Sequence, residues 1–130
     1  MTREEILSKE AGPETDALVC TGVMGYTDMG VEYAPRWQKP SNEPGGVKVL
    51  YGGLPPYSTD IAVAMEVLKK LAQKKGAQWY IETNYYDDGK LLYWVLYDPD
   101  GKANFDYIYE HESLPFAICI LSLLAVMEEG

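Results

Sequence analysis

Apolar residues recur along this chain first at helical spacing, then every second position, then at helical spacing again. Thr2 and Glu5 frame a capping box, which predicts a short helix from residue 3 to about Lys9. Gly12-Pro13 breaks the chain, and Pro13 is placed to begin a second helix with Leu18, Val19, Val23 and Met24 as its apolar stripe. Gly25 is its natural stop. Ser58 reads as the N-cap of a central helix, with Asp60 in its first turn and Ile61, Ala64, Val67, Leu68 and Leu71 on its inner face. Lys69, Lys70, Lys74 and Lys75 crowd its C-terminal turns, where cations complement the helix dipole, and Gly76 ends it.

The period then shortens to two. Trp79–Tyr86, Leu91–Tyr97 and Phe105–Glu110, joined by Asp87-Asp88-Gly89 and Asp98-Pro99-Asp100-Gly101, predict a three-stranded meander. Its middle strand is apolar at both parities, with Leu91, Tyr93, Val95 and Tyr97 on one face and Leu92, Trp94 and Leu96 on the other. Such a strand asks for cover on both faces. The last helix, Leu114–Met127 after a cap at Ser113, is apolar all round, so it lies under the sheet or against a second subunit. The expected fold is α+β, a three-layer α-β-α sandwich in which helices flank an antiparallel meander. It is expected to form one domain over residues 1–130. The stretch 26–57 stands apart, because five prolines and five glycines make most of it loop, with a short edge strand at Val47–Tyr51. Loops of that length in compact domains tend to be functional or disordered.

Several segments resemble the phage ABA sandwich domain family. They are Met1-Thr2-Arg3-Glu4-Glu5-Ile6-Leu7, Glu14–Gly25 ending in Val23-Met24-Gly25, Tyr57-Ser58-Thr59-Asp60-Ile61, Ala64-Met65-Glu66-Val67 and Leu114-Pro115-Phe116-Ala117-Ile118-Cys119. The resemblance covers most of the chain in order and departs between about Tyr26 and Gly53, where this chain is longer. It implies a small α-β-α protein of phages or prophages of Gram-positive bacteria. It implies no activity and no catalytic set.

Charge narrows the choice of partner. Eleven basic residues against 20 acidic ones leave a net charge of −9. Duplex nucleic acid and anionic membranes are both disfavoured, because each needs a basic face. The acidic start Met1-Thr2-Arg3-Glu4-Glu5 lacks the basic and apolar regions of a signal peptide, and no apolar run reaches the about 20 residues that span a bilayer. The expected location is the host bacterial cytoplasm. Cys20 and Cys119 read as buried free thiols, and with one histidine in the chain no metal site and no cofactor are expected.

Catalytic chemistry is poorly supplied. His111, the single candidate base, sits between Glu110 and Glu112 and reads as a surface histidine. Asp98-Pro99-Asp100-Gly101 lacks the later ligands of a calcium loop, and Gly45-Gly46-Val47-Lys48 lacks the phosphate-loop pattern. The protein is therefore expected not to be an enzyme. Ten of its sixteen aromatic residues fall between Trp79 and Tyr109, where they suit core and cross-strand pairs. A second group lies in or beside the long loop: Tyr33, Arg36, Trp37, Lys39, Tyr51 and Tyr57, followed by Ser58 and Thr59. In one reading these residues only pack the loop. In the other a base stacks on Trp37 or a tyrosine, Arg36 and Lys39 neutralise phosphate, and the amides of Thr59 and Asp60 point at it. The second reading makes the protein an oligomeric phage sponge that sequesters a small (cyclic) nucleotide immune signal. The alternative is an acidic phage protein that modulates a host protein through an interface, its charge steering it to a basic partner.

Overall fold

The structure is a computed structural model, and it describes residues 1–30, 35–102 and 107–128. It is an α+β fold with four α-helices and two three-stranded antiparallel sheets among the described residues. Helix α1 (Arg3–Leu7) carries the full capping box, in which the Glu5 amide donates to Thr2 Oγ1 at 3.1 Å and the Thr2 amide donates back to the Glu5 carboxylate at 3.4 Å. Helix α2 (Pro13–Leu18) runs on into a π turn at Val19–Val23, closed by the Met24 amide on the Val19 carbonyl at 2.9 Å. Gly25, at φ 84°, then turns the chain so that the Tyr26 amide reaches the Cys20 carbonyl at 3.0 Å. That left-handed step carries little strain in glycine.

The stretch that reads as loop in the sequence folds a small sheet of its own. Strands β1 (Thr27–Asp28), β2 (Trp37–Pro40) and β3 (Val47–Leu50) pair in that order, with Trp37 opposite Leu50 and Lys39 opposite Lys48. Its prolines and glycines fall at strand ends and turns, so they punctuate the strands rather than prevent them. The expected edge strand at Val47–Tyr51 is β3, whereas β1 and β2 carry no alternation long enough to signal them.

Helix α3 (Ile61–Leu71) is capped by Asp60, whose Oδ1 accepts the amides of Ala62 at 2.9 Å and Val63 at 3.3 Å. Ser58, the expected cap, is instead buried, and its amide donates to Asp16 Oδ1 at 2.7 Å. The cap moved by two residues because Ser58 is needed to tie the 51–60 segment to α2, where its Oγ also accepts the Gly12 amide at 2.9 Å.

The meander follows as β4 (Gln78–Tyr85), β5 (Leu91–Asp98) and β6 (Tyr107–His111); Phe105, expected in the third strand, lies outside the described residues. Helix α4 (Leu114–Met127) begins at the expected Ser113 cap. Every residue from Phe116 to Leu124 is buried, because β5 and β6 pack on one side of α4 and α1, α2, α3 and the π turn on the others. The apolar surface that a second subunit would have covered is thus used within the chain. The helices gather on the sheet face that holds Val95 and Tyr97, rather than on both faces as expected. Among the described residues no helix is long and apolar enough to cross a membrane.

Candidate ligand-binding site

A cleft of about 370 Å³ opens between the small sheet and the first turns of α3. Sites for small molecules range upward from about 300 Å³. Leu50, Pro55 and Val63 give it apolar walls, and Tyr26 and Tyr57 line its inner side. Both tyrosines are anchored in the core, Tyr26 at 6% and Tyr57 at 3% exposed.

Two lysines, Lys39 and Lys48, line the same cleft, and strand register explains why. Lys39 on β2 and Lys48 on β3 stand directly opposite one another. Like charges so placed repel across a sheet. Lys39 Nζ lies 4.7 Å from the centre of the Tyr26 ring and donates to the Met24 carbonyl at 3.4 Å. Burial first, and then the charges of Lys48 and Lys70, hold its pKa below the ordinary lysine value. Among the described residues neither Lys39 nor Lys48 forms an ion pair, while the carboxylate of Glu66 across the cleft is taken by Lys69 at 3.1 Å. In a chain of net charge −9, the cleft concentrates positive charge beside apolar and aromatic wall. An anion between the two lysines would relieve their repulsion.

Of the described residues singled out in the sequence, Lys39 and Tyr57 line this cleft, and the others do not. Trp37 is 4% exposed and belongs to the core, so its ring offers no platform to a base. The Arg36 guanidinium lies 5.0 Å over that ring and pairs with both Asp28 oxygens, Nε to Oδ1 at 2.6 Å and Nη2 to Oδ2 at 2.8 Å. Its charge is engaged in closing β1 onto β2. Tyr51 is 87% exposed and stands away from the cleft, and Tyr33 lies outside the described residues. The expected phosphate cradle at the start of α3 is also closed: the Thr59 and Asp60 amides both donate to the Pro56 carbonyl, and Asp60 itself caps the helix. What sequence reasoning missed is Tyr26, Lys48, Leu50, Pro55 and Val63. Lys48 and Leu50 share one face of β3 by simple alternation, but the pairing of Lys48 with Lys39 needs a register that only the folded sheet provides.

The other reactive groups have structural surroundings. Burial pushes the Cys20 thiol up to about 11 and raises that of Cys119 further, so neither supplies a thiolate near neutral pH. His111 is not a solvated surface histidine: its ring meets Phe116 edge-on at 4.8 Å, and its Nδ1 accepts the Ser113 amide at 2.9 Å at the entry to α4. Neither a family model, a curated protein nor a solved structure matches the chain.

Proposed function

We propose that the protein binds and withholds a small anion with a flat apolar body, a linear or cyclic nucleotide signal, in the cleft between β2, β3 and α3. The observation that supports this reading is the unneutralised cross-strand pair of Lys39 and Lys48 beside apolar wall. The lysines would hold phosphate as point charges, and the base would lie against Leu50, Pro55 and Val63. No catalytic step is needed for such a role. Resemblance to the phage ABA sandwich proteins adds the biological setting to the same proposal: a sponge that depletes an immune signal in the host.

Calorimetry against a panel of cyclic and linear nucleotides tests it. Lys39→Ala and Lys48→Ala should each weaken binding about 10-fold or more, the scale of one charge-assisted hydrogen bond. Lys74→Ala, beyond the end of α3, should leave it unchanged. Binding should also fade as pH rises through a range below that of an ordinary lysine, because Lys39 loses its proton early. Absence of heat with every nucleotide, from protein that remains folded, would reject the reading.

A further inference from the structure

The outer face of the β4–β6 sheet is apolar, open and framed by carboxylates. Register aligns three rows across it: Tyr80, Leu96 and Ile108; then Glu82, Trp94 and Glu110; then Asn84 beside Leu92. Tyr80 and Ile108 are 45% and 43% exposed, and Leu92, Trp94 and Leu96 are half-buried. In the central row the Trp94 indole N–H donates to Glu110 Oε2, and the Tyr86 hydroxyl donates to the same oxygen at 2.7 Å. These neutral donors orient the carboxylate and leave its charge uncompensated. Glu82 flanks the other side of the indole, on β4. Strands β4, β5 and β6 carry no lysine or arginine, and Lys90, opposite Tyr86, stands at the hairpin end of this face two rows from Trp94.

Charge decides what can cover such a face. A second copy stacked row on row would bring Glu82 and Glu110 against their own counterparts, with Lys90 two rows away from them. Burying like charges in that way is a strong bar to association. A cation, by contrast, gains twice: it lies over tryptophan, the best of the aromatic faces for cation–π contact, and between two carboxylates. The rows are two residues apart along β5, about 6–7 Å at the usual rise per strand residue. We infer that this face docks a basic segment of a partner protein in which an arginine or lysine stands between two apolar side chains at alternate positions of an extended chain. The basic residue would take the Glu82–Trp94–Glu110 row, and the apolar pair would cover Leu96 with Ile108 on one side and Leu92 on the other. This surface and the lysine cleft carry opposite charge, so either function can hold without the other.

The test is an NMR titration of the full chain with the capped peptide Ser-Leu-Ser-Arg-Ser-Leu-Ser, following the Trp94 indole N–H and the β5 amides. Saturable shifts confined to this face are expected, at least tenfold weaker for the twin with glutamate in place of arginine. Glu82→Gln with Glu110→Gln keeps the side-chain shapes and should weaken the arginine peptide about tenfold, as should raised salt. Trp94→Ala should abolish binding, and the double glutamine variant keeps the test sound if that protein is unstable. No saturable shift, equal binding of the glutamate twin, or free arginine binding as tightly as the peptide would each overturn the proposal. So would a dimer in light scattering that Trp94→Arg dissociates, since the face would then belong to a second copy.

Discussion

At the scale of single residues, partners rather than identities set the chemistry. Arg36 and Lys39 both read as cations on a loop, yet one is spent on a carboxylate and the other is pressed against a second lysine. The Arg36 hydrogen bonds, and after them the Gly30 amide, hold the Asp28 carboxyl at about 2, below its ordinary 3.8. A carboxyl depressed on folding adds stability above its ordinary range and loses it as pH falls toward the lowered value. An NMR titration should therefore find the Asp28 midpoint well below those of unpaired aspartates, and Arg36→Ala should raise it most of the way toward the ordinary range, the Gly30 amide keeping the remainder. A midpoint unmoved by that substitution would show that the guanidinium is not its cause. The same comparison explains why Trp37 misled as a stacking platform. Tryptophan is written alike in a sequence whether its ring faces a ligand or, as here, Leu50 across a strand pair and the core behind it.

At the scale of elements, hydrophobic periodicity predicted well what is local. The capping box of α1, the proline start of α2, the cap and length of α4 and the three strands of the meander are all legible, because each depends on neighbours within a few positions. Of the small sheet only β3 was legible. Its strands hold only two to four residues, and their pairing is set by contacts with Tyr26, Leu50 and the core. Helix α4 carries the sharpest expectation at this scale. Leu121 has no exposed surface, and helices and sheet enclose it from both sides. Leu121→Asp should cost several kcal/mol, since the carboxylate would have neither water nor a partner. Urea denaturation followed by circular dichroism measures it, and a midpoint like that of the unaltered protein would mean that α4 is not packed as described.

At the scale of the whole molecule, a junction outside the α4 contact also joins the helices to the large sheet. The Tyr97 hydroxyl donates to the Leu71 carbonyl at 3.0 Å, and the turn after α3 meets the turn after β5, where a side chain at Gly101 would stand 2.7 Å from the Gly76 carbonyl oxygen. Gly101 also has φ 73°, a strained conformation for any other residue. Gly101→Ala should therefore destabilise the fold by about 1–3 kcal/mol. Gly89→Ala, at φ 84° with open space around it, should cost less. Equal melting temperatures for the two variants would remove the junction from the account. Periodicity, caps and turn residues determined the helices, the meander and the need for α4 to be covered all round, because those follow from which side chains must leave water and from hydrogen bonds made nearby. Tertiary structure alone decided that Lys39 faces Lys48, that Arg36 is neutralised, and that one face of the sheet stays open. Each of these depends on register or layering between segments far apart in the chain, which no local pattern encodes.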